Sequence, residues 1–332
     1  MQQEQRTCAV VGTGQMGAGI AAVMASAGFH VALADASPET ARAAKERLLE
    51  GAGRDAADIA ARIECHDSIE DACRHAGYVT EAVREDPAVK REVLARISAV
   101  VPDGAVVATN TSAIPIRDLS GAVRDETRFL GVHWMYPPGL IPAVEVIPGP
   151  RTSEDTVRSA VSLLEELEKV PVVVADSPGF VANRLQFALV REAHLMLGEG
   201  LASAEDIDTV VSNSFGFRLA AFGPFLIGDM AGLDVYAGAY RTLEDAYGER
   251  FSVPRSIAEA VAGGRLGLKS GQGLLGDYPP ERREELLALR DEAYAALLRF
   301  RRALPGPAQD IRTNHDTTHG TTHDSGASEE TS

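Results

Sequence analysis

Short apolar runs alternate with helical stretches through the first half of the chain. The apolar runs are five or six residues long, as in strands of a sheet buried on both faces, and cover residues 7–12, 31–35, 78–83, 105–110, 129–134, 143–147 and 171–175. The clearest helical stretches cover residues 39–50, 87–100 and 153–168. This alternation predicts a doubly wound α/β sheet with helices on both faces, and the close succession of the last strands favours an antiparallel extension.

The pattern changes at Ser177-Pro178-Gly179, after which the sequence is mostly helical. Residues 180–197 carry apolar side chains on every side, which predicts a helix buried within the chain or in a subunit interface. We therefore predict an all-α second domain over residues 179–304. Residues 305–332 are polar and almost free of bulky apolar side chains, so we predict a disordered tail.

The first apolar run ends in a glycine turn, Gly12-x-Gly14-x-x-Gly17, and a helical stretch follows. Together with a second strand that ends in Asp35, this is the fingerprint of a dinucleotide-binding domain. We therefore predict a Rossmann-like N-terminal domain over residues 1–178. The cofactor-binding residues predicted at the turn are Gly12, Gly14, Gln15, Met16 and Gly17.

Asp35 predicts which dinucleotide is bound. A carboxylate at the tip of the second strand accepts hydrogen bonds from a ribose 2′-hydroxyl and repels a 2′-phosphate. Residues 36–39 contain no cation that would reverse this preference, so the predicted cofactor is NAD. The alternative role, capping the next helix, suits Ser37 better because Ser37 directly precedes Pro38.

Composition narrows the possible partners and the location. Acidic residues outnumber basic ones 48 to 32, a formal net charge of −16, which argues against nucleic acid and anionic membranes as partners. No apolar run approaches the roughly 18 residues of a membrane span, and no signal peptide is visible. The three cysteines include no CxxC pair, which predicts reduced, buried thiols in a cytoplasmic protein.

No metal site is predicted. His315, His319 and His323 are spaced by four residues, which on a helix would place them on one face. The surrounding Thr-rich sequence is a poor helix former, so this spacing is a weak signal.

Polar residues with the chemistry of an alcohol dehydrogenase follow the predicted strands. Such an enzyme needs a base with a pKa near neutrality, which histidine supplies, and a carboxylate that orients the ring. Hydrogen-bond partners for the reacting oxygen complete the set. His133, Glu145, Ser112 and Asn183 are of the right types, but a structural role for His133 is equally consistent, and spacing does not show that the four meet.

The order of these segments resembles the short-chain L-3-hydroxyacyl-CoA dehydrogenase family, which includes 3-hydroxybutyryl-CoA dehydrogenases and relatives acting on other hydroxy acids. The resemblance extends from about residue 6 to residue 278. Besides the glycine turn, the shared motifs are Glu81-Ala-Val-Arg-Glu85-Asp-x-x-x-Lys90, Asn110-Thr-Ser112, Gly131-x-His133, Val144-Glu145-Val, Pro178-Gly-Phe-x-x-Asn183-Arg184, Glu205-Asp-Ile-Asp208, Gly223-Pro224-Phe, Asp229 with Gly232-Leu-Asp234, and Gly267-x-Lys269-Ser-Gly-x-Gly273.

The resemblance implies a role for each matching residue. His133 becomes the general base and Glu145 its partner, while Ser112 and Asn183 become contacts of the substrate oxygen. The cofactor-side residues implied by the family are Glu85, Lys90 and Asn110; a surface ion pair is the alternative for Glu85 and Lys90. The family also implies a homodimer formed through the helical domain.

Three departures from the family bear on the substrate. Tyr136 stands where family members usually carry Asn. The segment 40–75, which in fatty-acyl enzymes is a longer, Lys-rich hairpin that meets CoA, is short and acidic here. Arg218 replaces part of a Gly- and Pro-containing stretch and suits a substrate carboxylate or phosphate; a surface arginine or an interface ion pair is the alternative.

We therefore predict an NAD-dependent oxidoreductase that interconverts a 3-hydroxy group and its 3-oxo form. The substrate is an acyl group on CoA, an acyl group on a carrier protein, or a free polar hydroxy acid, for which Tyr136 and Arg218 are the predicted substrate contacts. The related β-hydroxyacid dehydrogenases use an active-site lysine, so the His133 and Glu145 segments discriminate against them. A non-catalytic NAD-binding protein is the alternative from another functional class.

Overall fold

The computed structural model describes residues 7–51, 53 and 56–303. The chain divides between Arg191 and Glu192 into two compact units, and the domain boundary at residue 178 stays a prediction. The tail predicted over residues 305–332, with its spaced histidines, lies outside the described residues.

One twisted sheet of eight strands organises the first unit. The strands are β1 (Thr7–Val11), β2 (His30–Ala34), β3 (Ile63–Cys65), β4 (Tyr78–Glu81), β5 (Val106–Thr109), β6 (Phe129–Trp134), β7 (Ala143–Pro148) and β8 (Val170–Val173). Seven of them correspond to the predicted strands. The three-residue β3 was missed, because it is too short to show a strand pattern.

The strand order is β3-β2-β1-β4-β5-β6-β7-β8. Strands β1 to β6 are parallel in the order of a Rossmann-like domain, and β7 runs antiparallel to β6, with β8 parallel to β7. This confirms the predicted α/β class and the antiparallel extension. The carboxyl ends of β1, β2, β4, β5 and β6 therefore share one edge of the sheet, where this fold binds its ligands.

Helices cover both faces of the sheet. They are α1 (Gln15–Ser26), α2 (Pro38–Gly51), α3 (Ala56–Arg62), α4 (Ile69–Cys73), α5 (Pro87–Val100), α6 (Ile116–Ser120) and α7 (Glu154–Glu166). The start of α5 shows why its predicted bounds are right: Pro87 opens the helix, and Asp86 accepts hydrogen bonds from the amides of Ala88 and Val89.

The two faces of the sheet bury separate apolar layers. One layer joins α1 and α7 to strand residues such as Val132 and Trp134. The other joins α4, α5 and α6 to Phe129 and Ile147 and also contains Phe180. Because successive strand residues point to opposite faces, His133 lies on the same face as Phe180.

The second unit is helical, as predicted. Helix α8 (Ala182–Gly198) crosses the division between the units, and the helices that follow are α9 (Ala204–Asn213), α10 (Phe215–Leu219), α11 (Pro224–Ala231), α12 (Leu233–Tyr247), α13 (Arg255–Ala262) and α14 (Pro280–Ala303). No residue of α8 is buried in the structure of one chain. Burial of this helix within the chain is therefore not observed, and the subunit interface stays a prediction.

A buried carboxylate organises the loop after α13. Asp229, on α11, accepts hydrogen bonds from the amides of Leu274 (2.9 Å) and Leu275 (3.0 Å) and from the hydroxyl of Tyr278 (2.7 Å). The motif residues around it therefore have a structural role in this unit.

Two further predictions concern cysteines and membranes. Cys8 and Cys73 are buried, and burial raises the pKa of each thiol to about 12. Cys65 is only half-buried, because β3 lies at the edge of the sheet. Among the helices that the structure describes, none is long and apolar enough to cross a membrane.

Candidate active site

The glycine turn lies at the carboxyl end of β1 and leads into α1. Gly12 has φ +96°, and a Cβ added there would lie 2.6 Å from the carbonyl carbon of Ala82. A Cβ on Gly17 would lie 1.8 Å from the carbonyl oxygen of Gly12, which explains the close approach of helix and strand. Gly14 has no atom within 4 Å of its Cβ position, so the space above it is open.

The start of α1 fits a diphosphate. Gly14 caps the helix and has no side chain to accept from its first amides. Those amides have no partner within the helix and point towards the open space, where the helix dipole also favours an anion. The residues present therefore fit the dinucleotide predicted from the sequence.

Asp35 follows β2 and faces the same turn. Its carboxylate accepts hydrogen bonds from the amide (2.5 Å) and hydroxyl (2.7 Å) of Thr13 and from the amide of Ala36 (2.6 Å). Ser37, rather than Asp35, accepts from the amide of Thr40 at the start of α2. Asp35 is thus held beside the glycine turn, where a ribose hydroxyl would be bound.

His133 and Glu145 form a buried pair. They are direct partners in the antiparallel register of β6 and β7, which places both side chains on one face. His133 Nδ1 lies 2.8 Å from Glu145 Oε2, and the residues are only 4% and 5% exposed. Among the described residues, no hydrogen bond is made by His133 Nε2, so this nitrogen is available to a substrate.

The second oxygen of Glu145 receives the start of α8. Glu145 Oε1 accepts hydrogen bonds from the amides of Val181 and Ala182, both at 2.9 Å. The ring of Phe180 lies against that of His133, with 5.7 Å between centroids. The sequence patterns pointed to none of these three contacts.

The same turn of α8 brings Asn183 to Ser112. The side-chain amide of Asn183 donates to the backbone carbonyl oxygen of Ser112 at 2.7 Å. The Ser112 hydroxyl makes no hydrogen bond to the described part of the chain. Asn110 accepts from the amide of Trp134 at 2.9 Å and so fixes the backbone next to His133. All four predicted catalytic residues therefore lie at one edge of the first unit.

Glu85 holds the loop that carries Ser112. Its Oε1 accepts from the hydroxyl of Thr111 (2.6 Å) and the amides of Ser112 (2.8 Å) and Ala113 (3.0 Å). Burial alone would raise the pKa of Glu85, but these hydrogen bonds and the charge of Lys90 together lower it. The Glu85 carboxylate is therefore ionised at neutral pH.

Lys90 is fully buried, which excludes the alternative of a surface ion pair. Its ammonium donates to Glu81 Oε1 (2.9 Å) and to the carbonyl oxygen of Val83 (3.2 Å), and it lies 3.5 Å from Glu85. Glu81 also accepts from the hydroxyl of Thr109 at 2.6 Å. No role was predicted for Glu81; its signals were its place at the end of an apolar strand and in the motif shared with the family. Direct cofactor contact by Glu85 and Lys90 stays a prediction.

The two predicted substrate residues, Tyr136 and Arg218, belong to different units. Tyr136 is in the turn after β6 and is 62% exposed. Arg218 is on α10 in the second unit, and its guanidinium makes no hydrogen bond or ion pair to the residues that the structure covers. Contact of either residue with a substrate stays a prediction.

Comparisons with known proteins agree with the resemblance found in the sequence. The family model described as 3-hydroxyacyl-CoA dehydrogenase, NAD binding domain, matches residues 7–177, and the model of the C-terminal domain matches residues 179–276. These matches confirm NAD as the cofactor and a dehydrogenase as the class of enzyme.

Individual relatives match most of the chain. A 5-formyl-3-hydroxy-2-methylpyridine 4-carboxylate 5-dehydrogenase from Mesorhizobium japonicum is 36% identical, over 91% of this chain and 99% of the relative. A probable 3-hydroxybutyryl-CoA dehydrogenase from Bacillus subtilis is 35% identical, over 81% of this chain and 96% of the relative. The crystal structure of a 3-hydroxyacyl-CoA dehydrogenase from Archaeoglobus fulgidus has 34% identity and a TM-score of 0.76, covering 89% of this chain and 98% of the other.

Proposed function

Because this chain belongs to the 3-hydroxyacyl-CoA dehydrogenase family and is an NAD-dependent oxidoreductase, we propose that it interconverts a 3-hydroxy group and its 3-oxo form with His133 as general base. The observation that carries the proposal is the buried His133–Glu145 pair. His133 Nδ1 contacts Glu145, and His133 Nε2 makes no hydrogen bond to a described residue. NAD held by the glycine turn and Asp35 would supply the hydride acceptor for oxidation and, as NADH, the hydride donor for reduction.

The proton transfer follows from the geometry of the pair. During oxidation, His133 Nε2 takes the hydroxyl proton of the substrate, and Nδ1 donates to Glu145. The carboxylate stabilises the imidazolium that forms and keeps the ring in the required tautomer. In the reducing direction, the same Nε2 returns the proton to the substrate oxygen.

Ser112 and Asn183 contact the substrate oxygen in this proposal. The hydroxyl of Ser112 has no partner in the described part of the chain, so it is free to donate to that oxygen as charge develops. Asn183 uses its amide nitrogen to hold the Ser112 backbone, which fixes the distance between the two residues.

Two substrate classes are compatible with this chemistry. The first is a 3-hydroxyacyl thioester, either of CoA, which the family description names, or of a carrier protein. The second is a small, free 3-hydroxy acid with a carboxylate or phosphate, for which Arg218 and Tyr136 are the predicted contacts. The Mesorhizobium relative, whose name describes a pyridine carboxylate, supports the second class.

The charges of α2 and α3 also favour a free acid. CoA carries phosphates that require cations. In these helices Arg42 is paired with Asp67, Lys45 donates to the carbonyl oxygen of Ile63, and Arg62 donates to that of Gly28. Among the described cations of this hairpin, only Arg47 has no protein partner.

A substrate panel tests the proposed function. Purified protein is supplied with NADH and acetoacetyl-CoA, a carrier-protein thioester, or small 3-oxo acids that carry a carboxylate or phosphate, and NADH consumption is followed. We expect turnover of at least one 3-oxo compound. Tight NADH binding without turnover across the panel would instead indicate a non-catalytic NAD-binding protein.

The variant Arg218→Lys separates the two substrate classes. Lysine keeps the charge but cannot form the bidentate contact of arginine. For a free acid, we expect kcat/KM to fall by roughly one to two decades, which corresponds to a lost charge-assisted contact, while NADH binding is unchanged. Arg241→Lys, on α12, is the matched control. If the wild-type protein and Arg218→Lys turn over acetoacetyl-CoA with the same high efficiency, the free-acid class is excluded.

We also propose a homodimer formed through the helical domain predicted over residues 179–304. Its support is the exposed apolar surface of α8, where Leu185 and Phe187 are 59% and 62% exposed. Light scattering should give the mass of two chains, and Phe187→Glu should shift it towards one. A wild-type mass of one chain at micromolar concentration would contradict the dimer.

A further inference from the structure

Phe180 has an unusual backbone conformation next to the proposed base. Its φ is +48°, in the left-handed region, and its side chain is 1% exposed. Bulky side chains rarely adopt this conformation, because Cβ approaches the following carbonyl oxygen. Within the described residues, Glu168 is the one other non-glycine residue with a positive φ.

A tight turn leads into this conformation. The amide of Phe180 donates to the carbonyl oxygen of Ser177 at 3.0 Å, with Pro178 and Gly179 (φ +73°) as the two central residues. The next two amides, of Val181 and Ala182, both point at Glu145 Oε1. Consecutive amides at such a turn form a small concavity that binds an anionic oxygen.

Phe180 therefore acts on the catalytic pair in two ways. Its backbone aims two amides at Glu145, and its ring packs on His133. With Phe180 in an ordinary helical or extended conformation, both amides would turn away from Glu145 Oε1. The carboxylate would then lose the donors that fix it opposite His133 Nδ1.

We propose that the left-handed backbone of Phe180 is what holds Glu145 in place, so that Phe180 is a positioning residue for the base. The proposal rests on the proposed function, because it requires His133 and Glu145 to act as the base pair. It goes beyond that function in assigning the positioning to a backbone conformation rather than to the aromatic ring.

The variants Phe180→Gly and Phe180→Ala separate the two contributions. Both remove the ring, but only glycine adopts the left-handed region freely. We expect kcat of Phe180→Ala to lie about 5- to 30-fold below that of Phe180→Gly, the ratio that matches the penalty for a non-glycine residue in this region. The KM for NADH should be the same in both. If the ring alone matters, the glycine variant will be equal to or worse than the alanine variant, and the proposal is overturned.

A second pair of variants keeps the test decisive if removal of the ring prevents folding. Asparagine tolerates the left-handed region, whereas β-branched valine does not. We expect Phe180→Asn to have the higher kcat, although valine is the better residue for an apolar layer. A higher kcat for valine would contradict the backbone role.

Controls separate this inference from the proposed function. Glu168→Gly and Glu168→Ala change the other left-handed residue, and their kcat values should be equal. If Glu145→Gln keeps the wild-type kcat, the proposed function is wrong and this inference fails with it. If Glu145→Gln is inactive while kcat is the same within each pair of Phe180 variants, only the inference is overturned.

Discussion

Two buried carboxylates, one in each unit, have similar surroundings but different uses. Glu145 accepts two backbone amides and a contact from His133. Asp229 accepts two backbone amides, from Leu274 and Leu275, and the hydroxyl of Tyr278. In each case, the carboxylate is stabilised by two backbone amides and by one side chain.

The two sites differ in the chemistry of the side chain that contacts each carboxylate, which is His133 at Glu145 and Tyr278 at Asp229. Burial and the neighbouring Asp229 raise the pKa of Tyr278, so its hydroxyl remains a donor to Asp229 at neutral pH. His133 has a second ring nitrogen that no described residue occupies. Asp229 therefore holds a loop in place, whereas Glu145 orients the ring of the proposed base.

Replacement of Glu145 by glutamine should have the largest effect on catalysis. The amide still fills the space but no longer stabilises an imidazolium at His133. We expect kcat to fall by about two to three decades, a large part of the usual contribution of general base catalysis. Steady-state kinetics and NADH titration measure this, and unchanged NADH affinity is the control. A fall of less than threefold would remove Glu145 from the mechanism.

The matched replacement Asp229→Asn should act on stability instead. Its amide group places a donor against backbone amides that need an acceptor, and we expect the free energy of unfolding to fall by about 2–3 kcal/mol. Urea unfolding measures the change, and kcat per folded molecule should stay close to wild type. Lost activity in fully folded protein would show that the comparison is wrong.

Substitutions of two glycines, one in each unit, test the same comparison with smaller expected effects. A Cβ on Gly273 would lie 2.4 Å from the Asp229 carboxylate, whereas a Cβ on Gly14 meets no atom within 4 Å. We expect Gly273→Ala to cost about 1–3 kcal/mol of stability. Gly14→Ala should leave the fold intact and weaken NADH binding about tenfold, because the backbone must approach the diphosphate closely. Equal effects of both variants on NADH binding would contradict these assignments.

Elements with strong local signals could be predicted from the sequence. Helix α5 has the predicted bounds because Asp86 and Pro87 mark its start, and the glycine turn has its expected place because a Cβ at Gly12 or Gly17 would clash with the backbone. The resemblance to a family supplied the roles of His133 and Glu145. Their spacing of twelve residues does not by itself place them opposite each other, because that depends on the register of β6 and β7.

Other features of the site depend on tertiary contacts and left no local signal. The left-handed conformation of Phe180 is visible only in three dimensions, because a bulky residue predicts the opposite. The ion pair between Glu81 and the buried ammonium of Lys90 is visible only in the structure. The exposure of α8 could not be predicted either, because an apolar helix has the same pattern in a core and in a subunit interface.

The central claim is that His133 moves the proton, and the variant His133→Ala tests it most directly. Turnover of the best 3-oxo substrate from the panel is measured beside NADH affinity by fluorescence titration. We predict that kcat falls by about two to four decades, while NADH affinity stays at the wild-type value because the glycine turn and Asp35 are untouched. Near-normal turnover by this variant would contradict the account.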